Sequence, residues 1–428
     1  MAAARNRVLF PVPKPSQEGI DKLRKLFSLK AKAMRLGTES KHHSGDMPLE
    51  FRPMSESAVL NYYGPSTNKA RLYSEAYEEL KYRSVSARDA KVTMFVKAEK
   101  LILEEDESPC VKDPRAIQFR GIAYSARLAQ YTLALEMPFY RCTPGATKGL
   151  SNADKGIMLS DMISRFVDPV YLELDCSRFD AHVSSKLLSA EHSFYNKVFH
   201  SNELRSMLRL QNSNVVYSRH GLKYKLEGGR MSGDMNTALG NNVLQWGMIH
   251  TWLSEYEIPY EFVFDGDDSV IVMERKDASK VDPSRYEILF GMKAKLKMHT
   301  SIELVEYCKG HFFGNPGGLT FGRKPLDALL KDSHTTIRFT RKKDLDDYMY
   351  TLGCCMVHMY NRVPIMWKLA NLIRAKYPHG QFHSLLAHQT KRGVGDLALA
   401  PSAADRNTLD FNGCSSTLQR HIEASLRV

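Results

Sequence analysis

Residues 260–273 read YEFVFDGDDSVIVM. Two short apolar runs, EFVF and SVIVM, flank Gly266, Asp267 and Asp268, which predicts two strands joined by a tight turn with adjacent carboxylates at its tip. Alone the tripeptide is weak, since chance puts a GDD in about one chain in fifteen of this length, and a solvated turn would explain it. A second acid-bearing strand changes the balance. In VYLELDCSRFD, Asp175 ends an alternating run and Asp180 follows five residues later. Five steps along a straight strand put two side chains on opposite faces, so both acids reach one site only if the chain bends after Asp175; Ser177 and Arg178 are placed for that bend. Hard divalent cations such as Mg²⁺ take oxygen ligands, and two of them ~3.5–4 Å apart stabilise both the attacking and the leaving oxygen of a phosphoryl transfer. Asp175 and Asp267, converging from neighbouring strands, would supply such a site with Asp268 in support.

The third chemical element is GGRMSGDMNTALGNN, residues 228–242, running into a helix that continues through Trp252. Asp234, Thr237 and Asn241 fall on one face of that helix, opposite a core-facing stripe of Met235, Leu239, Val243 and Trp246. A polar helix face is ordinarily solvated. Here the Gly-rich entry allows a backbone to approach a substrate closely, Ser232 stands in the loop just before the helix, and hydroxyl and amide groups so placed could read a ribose.

Upstream, KVTMFVKAEKLIL and RAIQFR read as strands either side of a polar turn, a basic unit suited to handling phosphates. Helices are expected over 68–83 and 124–137, and NVVYSRHGLKYKLEGG reads as a hairpin turning at His220 and Gly221. LVEYCKGHFF, GNPGG and LTFGR form another hairpin; beyond Lys324 the pattern is helical, and the last 30 residues are polar and loop-like. Residues 1–60, basic and broken by Pro, Gly and Ser, read as an extension carrying one helix near 17–36.

At 428 residues the chain has room for about three domains or one large fold. Its 43% hydrophobic and 25% charged residues exclude a largely disordered, collagen-like or fibrous protein. Sixty Lys and Arg against 48 Asp and Glu leave a net charge of +12, which suits a polyanionic partner, nucleic acid before an acidic membrane surface. The 7 cysteines form no CxxC pair, so reduced thiols in a cytosol-like compartment are expected. Cys308 and His311 have zinc-like spacing, but with no second ligand pair a strand-end Cys and a chance His are preferred. No run approaches ~18 apolar residues, and the opening MAAARNRVLFPVPKP reaches Pro before an apolar core develops, so neither a membrane span nor an export signal is expected.

In order and spacing these segments resemble the viral RNA-dependent RNA polymerases, and in detail those of the tombusvirus and carmovirus type of plus-strand RNA viruses. DCSRFDAHVS is similar to that group's motif A, GGRMSGDMNTALGNN to motif B and FDGDDSV to motif C. FVKAEK with DPRAIQFR resembles motif F, GMKAKLK motif D and VEYCKGHFF motif E, although CKGHFF departs from the Gln-rich continuation usual there. The resemblance covers roughly residues 90–325. It implies that Asp175 and Asp267 bind two Mg²⁺ ions, with Mn²⁺ a possible substitute and Asp268 the adjacent acid. It further implies that Asp180, Ser232, Thr237 and Asn241 recognise the ribose, and that Lys97, Lys100, Arg115 and Arg120 meet the triphosphate. Lys295, flanked by Lys293 and Lys297 on the same strand face, best matches a lysine that protonates the leaving pyrophosphate.

The fold expected on this resemblance is α+β, a right-hand polymerase: an N-terminal extension over 1–60, fingers over 61–165, a palm over 166–322 with a fingers insertion about 184–226, and a helical thumb over 323–428. The palm would be an antiparallel sheet with flanking helices. The expected reaction is RNA-directed RNA synthesis on a plus-strand viral genome, with single-stranded RNA template, nascent RNA and ribonucleoside triphosphates as partners. A reverse transcriptase is the nearest rival; the acid at Asp180, where such enzymes place a bulky aromatic, favours ribonucleotides. A non-catalytic RNA-binding replication or coat protein would need only the charge, not the three acids. Work in the host cytoplasm, in membrane-associated replication complexes reached through a membrane-anchored viral replication protein, is also expected, with the N-terminal extension as its contact.

Overall fold

The computed structural model describes residues 2–37, 51–97, 113–315, 318–332, 338–360 and 363–381. The chain opens with α1 (Ala2–Arg7), α2 (Gln17–Leu36), α3 (Glu56–Tyr63), α4 (Asn68–Leu80), β1 (Val92–Val96), β2 (Ala116–Arg120), α5 (Ile122–Arg141) and α6 (Asn152–Ile163). Next come β3 (Pro169–Cys176), α7 (Phe179–His182), α8 (Ser185–Phe199), α9 (Asn202–Arg209), β4 (Ser213–Ser218), β5 (Lys223–Glu227), α10 (Thr237–Leu253), β6 (Tyr260–Asp265) and β7 (Asp268–Glu274). Last are α11 (Arg275–Ala278), α12 (Pro283–Phe290), β8 (Ala294–His299), β9 (Gly310–Asn315), β10 (Gly318–Arg323), α13 (Pro325–Asp332), α14 (Lys342–Met359) and α15 (Pro364–Lys376).

The class is mixed α+β, as expected. The acid-bearing segments share one antiparallel sheet in the order β6-β7-β3-β8. Its central strands are apolar on both faces. Leu172, Leu174, Ile271 and Met273 join Val243, Trp246 and Phe194 in the main core, whereas Tyr171, Val263, Val270 and Val272 pack with Leu159, Phe312 and Phe321. Helices therefore cover one face, and α6 with the β9–β10 hairpin covers the other. Being apolar nearly all round, α10 is buried along its length, as such a helix must be.

A second sheet, in the order β2-β1-β4-β5, holds the basic strands; β1 runs antiparallel to β2 and parallel to β4. The inner sides of β1 and β4 place Val92, Met94 and Val216 against Ala4 and Met231. The C-terminal helices build a separate small core around Met356, Tyr360 and Met366.

The reading of residues 1–60 as an extension needs correction. The helix near 17–36 is there, capped by the Ser16 hydroxyl and ended at Gly37 with φ 70°, but it is part of the main core. Ile20, Leu23, Phe27, Ala31 and Met34 are fully buried, and the Phe27 ring lies 5.9 Å from that of Phe194 and 6.4 Å from that of Trp246. Even Lys30 is buried, its ammonium donating to the Cys142 carbonyl at 2.6 Å beside the Trp246 ring. Lys100, in the connection from β1 to β2, lies outside the described residues, as does the polar C-terminal stretch from 382.

Candidate active site

The turn between β6 and β7 is the two-residue kind: Asp265 faces Asp268 in register, Gly266 takes φ 70°, and Asp267 stands at the tip. A left-handed residue is what such a turn requires, and glycine adopts it without steric cost. The turn is pinned from α10, where Asn242 Oδ1 accepts the Gly266 N–H at 2.9 Å. Across the sheet Asp268 sits directly opposite Asp175 on β3, and Asp175 in turn faces Lys295 on β8.

The bend required after Asp175 is present. Arg178 adopts φ 52°, and the short helix α7 that follows turns Asp180 back toward the sheet. The Arg178 guanidinium lies 4.8 Å from the Phe10 ring and 3.6 Å from Asp113, so the N-terminal segment braces this corner.

One cavity of about 750 Å³ gathers Asp175, Asp180, Asp267 and Asp268 on one side and Lys97, Arg115, Ser232 and Asn241 around them. Ser232 accepts the Gln118 N–H at 3.2 Å, which ties the loop before α10 to the edge of β2. The acids repel one another. Burial, helped by Asp175 and Asp265, raises the Asp267 carboxyl above its ordinary range; burial with Asp267, Asp175 and Asp265 pushes Asp268 up to about 7. Asp180 is also raised, chiefly by burial. Such crowded oxygen donors have the chemistry a hard divalent cation takes. Among the described residues no three His, Cys, Asp or Glu groups stand within metal-holding distance of one another as placed.

Four expected residues are placed otherwise. Arg120 is buried and saturated: Nε donates to Asp234 Oδ1 at 2.8 Å, Nη1 to the Ala90 carbonyl at 2.8 Å and Nη2 to Asn214 Oδ1 at 2.6 Å. It locks the sheet to the loop and does not face the cavity. Asp234, read as part of a helical face, lies before the helix as the partner of that arginine. Thr237 begins α10, its hydroxyl donating to the Met231 carbonyl at 2.7 Å, and does not line the cavity. On β8 it is Lys297, not Lys295, that lines the cavity, donating to Glu173 at 3.1 Å.

Sequence reasoning also missed a buried relay. Arg230, 3% exposed, pairs with the fully buried Glu191 of α8, and its Nε donates to Asn241 Oδ1 at 3.0 Å. With that oxygen taken, the Asn241 amide presents its Nδ2 to Asp180 Oδ1 at 2.9 Å. Tyr195 and Asn236 also donate to Glu191 Oε1, at 2.8 and 3.1 Å. Gly240 leaves room for the pair, because a Cβ there would collide with both Glu191 and Arg230. The available signal was a charged residue inside the apolar face of α8, between Leu188 and Phe194.

The family model described as viral RNA dependent RNA polymerase matches residues 2–407. The chain belongs to this family. Among similar members, the RNA-directed RNA polymerase of Tobacco necrosis virus (strain A) is 33% identical over 73% of this chain and 44% of its own length. That of Melon necrotic spot virus is 31% identical over 85% of this chain and 45% of its own, and that of Turnip crinkle virus 30% identical over 72% and 41%. The chain thus spans less than half the length of these viral polymerases.

Proposed function

We propose that this chain carries the polymerase activity itself: template-directed attack of a nascent RNA 3′-hydroxyl on the α-phosphate of a ribonucleoside triphosphate, with pyrophosphate leaving. The observation that carries this reading is the convergence of Asp175, Asp267 and Asp268 in one cavity with Lys97 and Arg115 on its wall, in a chain of this family. Asp175, Asp267 and Asp268 are the residues that would hold Mg²⁺, or Mn²⁺ in its place. When bound, such ions lower the barrier by stabilising charge on the attacking and leaving oxygens. Lys97 and Arg115 offer charge-assisted hydrogen bonds to the triphosphate. Asp180 accepts from Asn241 through one oxygen and offers the other to a ribose hydroxyl, and Ser232 stands at the same wall. Lys297, kept protonated above its ordinary range by its hydrogen bond to Glu173, supplies a positive charge and a proton on the leaving-group side. Positioning and electrostatics then account for most of the rate.

The architecture that fits is a right hand: fingers over 61–165 joined by 184–226, a palm built on the β6-β7-β3-β8 sheet, and a helical thumb from 323, with α2 buttressing the palm. For cells we propose a place in the cytoplasm within membrane-associated replication complexes, reached through a membrane-anchored viral replication protein. Among the described residues no helix is long and apolar enough to cross a membrane, and α2 offers such a partner its exposed face, with Lys25, Leu29 and Lys32, while its other face is held in the core.

Extension assays on an RNA template with ribo- and deoxyribonucleotides test the reading. The protein should add ribonucleotides, need a divalent cation, and lose ribo/deoxy discrimination in Asn241→Ala and Asp180→Ala, whose polar partners are otherwise left unpaired by a missing hydroxyl. Binding of RNA without any extension would favour the non-catalytic reading. Salt-resistant membrane association of this chain expressed alone would refute the partner model.

A further inference from the structure

The outer face of the β2-β1-β4-β5 sheet carries an aromatic and basic surface that the chemistry above does not use. Along β1, Val92 and Met94 point into the core while Phe95 is 47% exposed; Phe119 on β2 is 37% exposed and Tyr217 on β4 is 36% exposed. Register places them on one side. Thr93 faces Phe119 on one flank and Tyr217 on the other, and Tyr217 faces Lys223 of β5, whose ammonium lies 5.5 Å from the tyrosine ring. The Phe95 and Phe119 rings meet edge to face at 5.9 Å. Lys225 shares this side one ladder row further on, and Arg219 stands exposed in the turn joining β4 to β5. At the opposite end the Lys97 N–H bonds to the Arg115 carbonyl, so the same face runs on into the wall of the cavity. Among the described residues of these four strands the acid on this face is Glu227, and it is engaged by the Ser213 hydroxyl.

Exposed rings on a four-stranded sheet, flanked by lysines, are what unpaired bases and their phosphates require: any base can stack on a π-face, and cations follow the backbone. We propose that this face holds the single-stranded RNA leading to the cavity, its bases stacked on Phe95, Phe119 and Tyr217 and its phosphates on Lys223 and Lys225. The inference rests on the polymerase reading and names the RNA path that reading needs.

The test uses the full chain and two labelled RNAs, one long enough to cross the sheet and a trinucleotide that is not. Phe95→Leu/Phe119→Leu keeps apolar bulk and removes the π-faces, and should weaken the long RNA at least about fivefold while leaving nucleotide KM and the trinucleotide unchanged. Phe119→Tyr should bind as the parent does, which separates stacking from misfolding. Lys223→Gln/Lys225→Gln should lower the log–log salt slope by about 1.4, or 0.7 for each phosphate no longer neutralised. If the parent binds RNA and the leucine variant binds equally well, the inference is overturned. Unchanged RNA affinity with altered self-association would make the face a protein interface, which also overturns it. A parent that binds no RNA defeats the polymerase reading itself.

Discussion

Two arginines five residues apart show what a single side chain can and cannot reveal. Arg115 and Arg120 flank and end β2, and five steps along a strand put them on opposite faces, so only one could meet the triphosphate. The same parity that demanded a bend between Asp175 and Asp180 was available here and would have turned Arg120 inward. Its partner Asp234 is 114 residues away, a pairing that no local pattern shows. Lysine placement on β8 follows from register, with Lys297 opposite Glu173 and Lys295 opposite Asp175. Lys297→Leu should therefore slow single-turnover nucleotide addition more than Lys295→Leu while leaving nucleotide affinity similar; the reverse order would return the role to Lys295. Gly240→Ala pushes a methyl into the Glu191–Arg230 pair. Breaking a buried ion pair costs about 3–5 kcal/mol, so denaturant unfolding should show a loss of roughly 3 kcal/mol or more, and a change under about 1 kcal/mol would mean the helix moves aside freely.

At the scale of elements, what was legible depended on local periodicity. The β6–β7 hairpin was readable because apolar strands flank a glycine that a two-residue turn needs, and its observed register agrees. The β4–β5 pair was readable from two alternating runs separated by a short polar turn with Gly221, and the β1–β2 pair from two apolar runs either side of a polar segment. For α2 the sequence showed a helix but not its burial: Ile20, Leu23, Phe27, Ala31 and Met34 form a stripe at helical spacing, and the lysines around them drew the reading toward an exposed extension. Phe27 decides the matter. Fully buried against Phe194 and Trp246, it should cost about 3–5 kcal/mol when replaced by alanine, measured by denaturant unfolding. A helix that merely trails the fold would lose less than about 1 kcal/mol.

For the whole molecule, buried polar groups link stability to pH. Burial lowers His192 and His250 to about 4 each, against ~6.5 for an unfolded histidine. Between those values the unfolded chain binds more protons, so these two groups contribute stability that is full above pH ~6.5 and is lost as pH falls toward 4, by up to about 1.4 kcal/mol per unit each. Asp180, Asp267 and Asp268, with raised values, act in the opposite sense, so the comparison of variant with parent isolates the histidine. His250→Gln should lose less stability than the parent between pH 6.5 and 4; parallel curves would mean that His250 is protonated in the fold. The three-dimensional site repeats the pattern seen at smaller scales. The acids were visible because their chemistry marks them, whereas Glu191, Arg230 and Asn242, which orient Asn241 and the acidic turn, read as ordinary core and loop residues until the helices were packed.

The central claim, that Asp175, Asp267 and Asp268 form the catalytic centre of an RNA polymerase, is tested most directly by the single-turnover rate of nucleotide addition for Asp267→Asn, measured beside its RNA affinity. Removing one carboxylate at the tip of the turn takes away a cation ligand and leaves the basic surfaces intact. The rate should fall at least about a hundredfold, since metal stabilisation of the transferring phosphoryl group amounts to several kcal/mol, with RNA affinity within about twofold of the parent. Extension at close to the parental rate would contradict the account.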